Sequence, residues 1–214
     1  MPRTKTDLFN RIIANLGQIK STQIEIWSEA TSDARTVRRF YEDNVEAFLE
    51  ESWWSFATGY ASLSLDSSTA PEAWAYAYKA PADMVAPRRL VGVVPEELPP
   101  FEEGISSAGI KVLWSDQQEA ELEYTKFTED FNVWSPTAYR ALSLFVSIDV
   151  APAYTGGNKV NEIMAIYADA LERAQAASAN RQERRPDTGD EITNFRHGSV
   201  QTSRAVRGAA TYKP

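Results

Sequence analysis

The sequence predicts an α+β fold: a helical bundle built from N- and C-terminal helices, an inserted β-rich module, and an extended C-terminal tail. Three observations predict it. Apolar residues recur at steps of three and four over residues 5–57 and again over 136–180, the period drops to two between 58 and 130, and no period survives from Arg181 onward. The expected divisions are 1–57 and 131–180 for the two halves of the helical body, 58–130 for the insertion and 181–214 for the tail.

In the first helix Leu8, Ile12 and Leu16 fall at i, i+4 and i+8, with Phe9 and Ile13 beside them, and Gly17 supplies the stop. A second helix starts near Ser28 or Ser32, with Ala30, Ala34, Val37, Tyr41, Val45 and Phe48 as its apolar stripe. Arg35, Arg38, Arg39, Glu42, Asp43 and Glu46 mostly lie off that stripe, as a solvated charged face would. In the insertion, 74-WAYAY-78 puts Trp74, Tyr76 and Tyr78 on one side of a strand. Ile110, Val112 and Trp114 share a face, as do Ala120, Leu122 and Tyr124, so 110–127 reads as a hairpin turning at 115-SDQQ-118. The five prolines of 81–104 favour loops and short edge strands there. Ser135-Pro136 opens the third helix as an N-cap followed by proline at the first helical position. That helix is apolar nearly all round over 138–151, which predicts burial on most sides, and Pro152 with Gly156-Gly157 is expected to end it. Asn158 is placed to cap a fourth helix with the stripe Val160, Ile163, Met164, Tyr167, Leu171 and Ala174. The composition of 181–214 predicts a tail without a packed core.

The stretch 51-ESWWSFATGY-60 raises a separate question, because four aromatic residues crowd ten positions. A stacking platform for single-stranded nucleic acid interleaves aromatics with Lys and Arg, yet residues 51–78 contain neither. Leu49, Trp53, Phe56 and Tyr60 continue the helical steps, after which Ala61, Leu63 and Leu65 alternate. Trp53, Phe56 and Tyr60 are therefore expected to form a core hinge between helices and strands, with Gly59 at the switch and Trp54 pointing away. On that expectation Trp53→Ala costs about 3–5 kcal/mol. Trp54 would meet the β module, an adjacent subunit or, failing those, a ligand.

Composition bounds the chemistry. There is no cysteine, so thiolate nucleophiles, thiolate metal sites and disulfides have no material, and the one histidine is His197. The opening MPRTKTDLFN is too polar for a signal peptide and no apolar run approaches a membrane span, so a protein made and first used in a cytoplasm is expected, with no membrane partner. Net charge is −8, divided unevenly. Residues 1–180 hold 15 Lys+Arg against 26 Asp+Glu, a balance of −11, whereas 181–214 hold 7 against 4, a balance of +3. An acidic body argues against a surface that binds nucleic acid by neutralising phosphates.

Candidate catalytic groups are few. The turn 155-TGGN-158 lacks the spacing and the lysine of a phosphate loop and reads as a helix–helix connection. Glu119, Glu121 and Glu123 alternate with apolar residues, which suits the wet face of a hairpin better than the paired acids of a glycosidase. Asp149 is an acid within the most apolar helix, placed to face solvent or a partner subunit. Arg181, Arg184 and Arg185 suit a phosphate, an acidic partner or the solvated end of a helix equally well. No cofactor or metal is expected.

Taken in order, several blocks resemble one family, the head-to-tail adaptors (tail tubular protein A) of short-tailed bacteriophages. The blocks are 12-IIANLGQIK-20, then 30-ATSDARTVRRFYEDNVEAFLEESWWSFA-57, then 74-WAYAYKAPAD-83, then 122-LEYTKFTEDFNVWSPTAYRALSLFVSIDVAPAYTGG-157, leading into 163-IMAIYADALERAQA-176. Together they span about residues 8–180. The sequence departs from the family at Ser52, where proline usually precedes the tryptophan, and in 144-LFVSIDVA-151, where the family is richer in alanine.

The resemblance implies a ring of twelve subunits between the portal protein at the capsid vertex and the tail nozzle protein, with tail fibres attaching nearby and double-stranded DNA passing through unread. It places the protein in the virion tail, assembled in the host cytoplasm. It also implies that the C-terminal segment reaches the portal, so Arg181, Arg184, Arg185, Phe195, Arg196, Arg204, Arg207 and Tyr212 are the expected portal-binding residues. No enzymatic activity is expected of such a part. Two alternatives stand beside it: a connector of a long-tailed phage, and a tail-associated glycan hydrolase for which the Glu119–Glu123 cluster is the best argument.

Overall fold

The computed structural model describes residues 3–17, 23–68, 70–91, 98–155 and 159–181. Four helices and two small antiparallel sheets of three strands each make a mixed α+β structure. Helices α1 (Lys5–Asn15) and α2 (Ser32–Glu50) precede strands β1 (Thr58–Ser62), β2 (Tyr76–Lys79), β3 (Met84–Val91), β4 (Phe101–Ile105), β5 (Lys111–Ser115) and β6 (Glu121–Lys126). Helices α3 (Pro136–Thr155) and α4 (Val160–Ala179) follow.

Each helix start has a local cause. At α1 the Thr4 hydroxyl accepts the Asp7 N–H at 3.1 Å while the Asp7 carboxylate accepts the Thr4 N–H at 3.0 Å, a reciprocal capping box. Helix α2 starts at Ser32, one of the two expected starts, and Thr31 caps it by accepting the Ala34 N–H. The Ser135 hydroxyl accepts the Ala138 N–H at the head of α3. Gly17, at φ +74°, takes the left-handed conformation that stops α1.

The helices pack around α3, which meets α1, α2 and α4. Leu8, Ile12 and Leu16 of the first stripe, and Ala34, Val37, Tyr41, Val45 and Phe48 of the second, are buried in one core with Ala138, Leu142, Val146 and Val150 of α3. Several polar side chains at that core are matched, Asn15 donating to the hydroxyls of Ser143 and Ser147 and Asn44 to the Asp149 carboxylate at 3.0 Å, whereas the buried Tyr41 hydroxyl and Trp134 indole N–H have no hydrogen-bond partner among the described residues. Asp149 is otherwise exposed. Tyr139 is buried beneath Arg3 and Arg11, and burial, then the charge of Asp7, pushes its hydroxyl pKa up to about 12. Because the folded value lies above the unfolded one of about 10, this contribution to stability is complete below pH 10 and is lost as pH rises through about 12. Tyrosinate absorbance followed with circular dichroism should show ionisation in that window accompanied by falling stability.

Two helix expectations are corrected. Pro152 does not end α3, which runs to Thr155. Proline removes one N–H, but the last turn is held from outside by the Tyr154 hydroxyl on Asp33 and from inside by the Thr155 hydroxyl on the Ala151 carbonyl. On α4 the buried positions are Ile163, Ala170, Ala174 and Ser178, with Val160, Tyr167 and Leu171 of the expected stripe partly buried against the core, whereas Met164 is exposed. The residues 156–158, including Asn158 and the Gly-Gly pair, lie outside the described residues.

The strands order as β1-β6-β3 in one sheet and β2-β5-β4 in the other, every neighbour antiparallel. The predicted 110–127 hairpin does not exist: β5 and β6 are the central strands of different sheets. Alternation alone cannot tell which strand pairs with which, and here the connection is tied to other elements. Gln117 donates to the Val91 carbonyl, its own carbonyl accepts the Tyr78 hydroxyl, and Glu119 takes a left-handed φ of 55°. The hairpin that forms joins β4 to β5 around Gly109, at φ +76°. The edge strands expected from the prolines are present, since β3 carries Pro87 and β4 follows Pro99-Pro100. The two sheets share a second core, in which Leu122 and Tyr124 of β6 and Leu90 of β3 meet Tyr78 of β2 and Leu113 of β5. Val85 of β3 belongs instead to the helical core, so the first sheet lies between the helices and the second sheet.

Candidate interaction site where helices meet sheet

Helix α2 ends when the chain leaves helical geometry after Glu51, so the two tryptophans are oriented by extended backbone rather than helical phase. Trp54, at φ −74° and ψ 126°, heads a short 3₁₀ turn over Ser55–Ala57. Its ring is wholly buried, stacked on Phe48 at 4.8 Å and on Phe56 at 5.7 Å, and its indole N–H donates to the Phe48 carbonyl at 2.8 Å. Trp53 points the other way and is 60% exposed. The expected assignment is thus reversed: Trp54 is core and Trp53 is surface. Phe56 does pack against the core, 4.5 Å from Trp134. Tyr60 does not, and at 67% exposure it stands on the outer face of β1. Gly59 lies in the same strand opposite Tyr124, whose ring occupies the space a Cβ would need.

Behind the exposed aromatics is a charged group that sequence reasoning missed. The register of β3 on β6 shifts between Pro87 and Arg89, a bulge that sets Arg88 and Arg89 together against Glu123. The Arg88 side chain is 1% exposed. Its guanidinium donates to the Thr125 hydroxyl at 3.0 Å, the Thr58 hydroxyl at 2.6 Å and the Trp54 carbonyl at 2.9 Å. Glu123 lies 3.9 Å from it and pairs closely with Arg89 at 2.6 Å. Burial lowers the Arg88 pKa, while Glu123 and then Tyr60 raise it. One side chain thereby joins β3, β1, β6 and the segment leaving α2. The Arg88 guanidinium carbon sits 5.9 Å from the Trp53 ring centroid.

This corrects the reading of the glutamates. Glu121 is exposed opposite Ser62 and Glu119 lies in the preceding turn, but Glu123 is buried as an arginine partner instead of standing on a wet face. The three do not converge on one cleft. No group of three metal-ligating side chains occurs among the described residues. Of the expected portal-binding residues only Arg181 is described: it is exposed just beyond α4, its backbone N–H donating to the Ser178 carbonyl. Arg184, Arg185, Phe195, Arg196, Arg204, Arg207 and Tyr212 lie outside the described residues, as does His197.

Chemically, Trp53 and Tyr60 over a buried arginine form a contact surface of the residue types that dominate protein–protein binding energy. The only local sign of Arg88 was 87-PRRLV-91, an arginine pair entering an apolar run; its partners Thr58, Thr125 and Trp54 are about 30 or more positions away. No helix among the described residues is long and apolar enough to cross a membrane. Compared with known families and curated proteins, the chain matches no family model and no curated sequence.

Proposed function

We propose that this protein is a head-to-tail adaptor: a structural subunit that assembles as a ring, on the portal of a phage capsid, and presents a platform for the nozzle and fibres of the tail. The observation that carries this reading is the ordered set of blocks from 12-IIANLGQIK-20 to 163-IMAIYADALERAQA-176. In this reading α1–α4 are the helical bundle, the two sheets are the inserted module, and residues 181–214 are the extended tail that docks on the portal. The acidic balance of residues 1–180 supports a channel that duplex DNA traverses without sticking, since like charge keeps it off the wall. The +3 tail is suited to an acidic docking surface.

Purified protein mixed with portal rings should give a discrete complex with twelve subunits by native mass spectrometry. A protein that stays monomeric and ignores the portal would overturn the proposal. Removal of residues 182–214 should abolish docking while leaving the thermal unfolding of the remainder in place; unchanged docking would show that the tail is not the portal contact.

A further inference from the structure

Within the acidic body one groove is basic. Arg140 and Leu144 of α3 face Asn15 of α1 and Lys159, Ile163 and Ile166 at the start of α4 across a cavity of about 160 Å³. Two more cations adjoin it along α1: the guanidinium carbons of Arg3 and Arg11 lie 5.5 and 5.9 Å from the ring centroid of Tyr139, the neighbour of Arg140. None of Arg3, Arg11, Arg140 and Lys159 belongs to an ion pair among the described residues. Of the nearby acids, Asp7 is engaged in the Thr4 capping box and Glu162 lines the groove. Burial lowers the Arg11 pKa; Tyr139 opposes this, and the like charges of Arg140 and Arg3 add to it. Arg140 also occupies the first turns of α3, where the helix dipole disfavours a cation. Among the described residues, Glu162 is the one acid that lines the groove against Arg140 and Lys159.

The complementary feature is on α2. Asp43, Glu46 and Glu50 fall at i, i+3 and i+7 and are all exposed, with the exposed Ala47 among them. None is in an ion pair among the described residues, and they line the C-terminal half of the helix, where like charges and the dipole both disfavour them. The stripe and the groove are different surfaces, the groove lined by α1, α3 and the start of α4 and the stripe by the exposed side of α2. Helix α2 meets α3 through Phe48 on Phe145, at 6.2 Å, and Asn44 on Asp149. Those α3 positions lie about 140° and 180° around the helix from Arg140 at roughly 100° per residue.

We propose that the Arg140–Lys159 groove receives the Asp43–Glu46–Glu50 stripe of a second copy of this chain. Opposite charges on two different surfaces make the contact head-to-tail, the type that can close rings instead of stopping at a dimer. Ala47 meets the apolar floor of Leu144 and Ile166, and the acids meet the basic rim. The inference rests on the ring reading and assigns the surfaces that would build it.

The test uses the full chain in sedimentation velocity. Arg140→Glu with Lys159→Glu reverses the groove, and Glu46→Lys with Glu50→Lys reverses the stripe. Each double variant should weaken self-association by on the order of a hundredfold, as like charges across an interface do. A one-to-one mixture should restore it, because reversed groove then meets reversed stripe and native groove meets native stripe. Circular dichroism checks that the variants fold, and the mixture detects complementarity even if one variant is weakened for another reason. If the wild type assembles and both variants and their mixture behave as it does, this interface is wrong and the ring reading stands. A wild type that remains monomeric at every concentration, with or without portal, overturns both. Short duplex DNA bound by the wild type and lost in Arg140→Glu/Lys159→Glu, with assembly unchanged, would make the groove a phosphate site and overturn the inference.

Discussion

Trp54→Ala should destabilise the fold by about 3–5 kcal/mol, the range for removing a fully buried large aromatic. The ring is sandwiched between Phe48 and Phe56, and its loss leaves a cavity that Trp134 and Phe48, fixed by their own stacking at 5.8 Å, cannot fill. The Phe48 carbonyl also loses its indole donor. For a domain of this size the effect corresponds to a fall in Tm of roughly 6–20 °C. Trp53→Ala, one residue earlier, should cost about 1 kcal/mol or less, the worth of its exposed contact with the Arg88 guanidinium. Thermal unfolding of the two variants side by side decides the matter, and equal costs would refute the reversed assignment. If the exposed face binds a neighbour, Trp53→Ala will show its effect in assembly instead.

The second large effect is expected at Arg88. Arg88→Met should cost about 3–5 kcal/mol, because a methionine fills the volume but strands the acceptors that the guanidinium satisfied. The Trp54 carbonyl keeps the Ala57 N–H and the Thr58 hydroxyl as donors, but the Thr58 and Thr125 hydroxyls lose a charged partner and Glu123 loses one of its two arginines. Arg88→Lys should recover little, since an ammonium cannot reproduce a planar fork that reaches acceptors on two strands and on the segment leaving α2 at once. Arg89→Met is the control. Its side chain is 43% exposed, but its partner Glu123 is buried and keeps only the longer contact to Arg88, so a smaller loss of about 1–2 kcal/mol is expected. Urea unfolding followed by tryptophan fluorescence reports both changes, and equal midpoints for the Arg88 and Arg89 variants would refute the role given to the bulge.

The contrast between Trp54 and Arg88 shows what was legible in the sequence. Helix positions, stripes and the Ser135 cap were readable because their causes lie within one or two turns: Ser135 with Ala138, and Val37, Tyr41, Val45 and Phe48 on a single face. The helical period was carried past Glu51, through Trp53, Phe56 and Tyr60, and that error exchanged the two tryptophans. Strands were found where alternation was strong, but their partners were not, since a strand alternates identically whichever neighbour it has. Thus 110–127 read as a hairpin although β5 and β6 belong to different sheets. The Arg88 site was invisible for the same reason on a longer scale: β1 and β6 pair across some sixty residues, with Thr58 opposite Thr125, and a bulge decides which way the arginine turns.

The central place of α3 has a consequence for how the chain is made. Helices α1 and α2 are synthesised first, yet the surface that covers their apolar stripes begins only at Pro136, some 86 residues after Glu50. At ribosomal speeds of about 5–20 residues per second, the interval is roughly 4–17 s. During it the nascent chain carries two amphipathic helices with their greasy sides open, beside strands whose own partners are also unmade. The late arrival of one helix therefore makes the interval before its emergence the time at which nascent chains on a polysome are most prone to stick to each other, and makes chaperones the natural occupants of those faces until α3 takes their place.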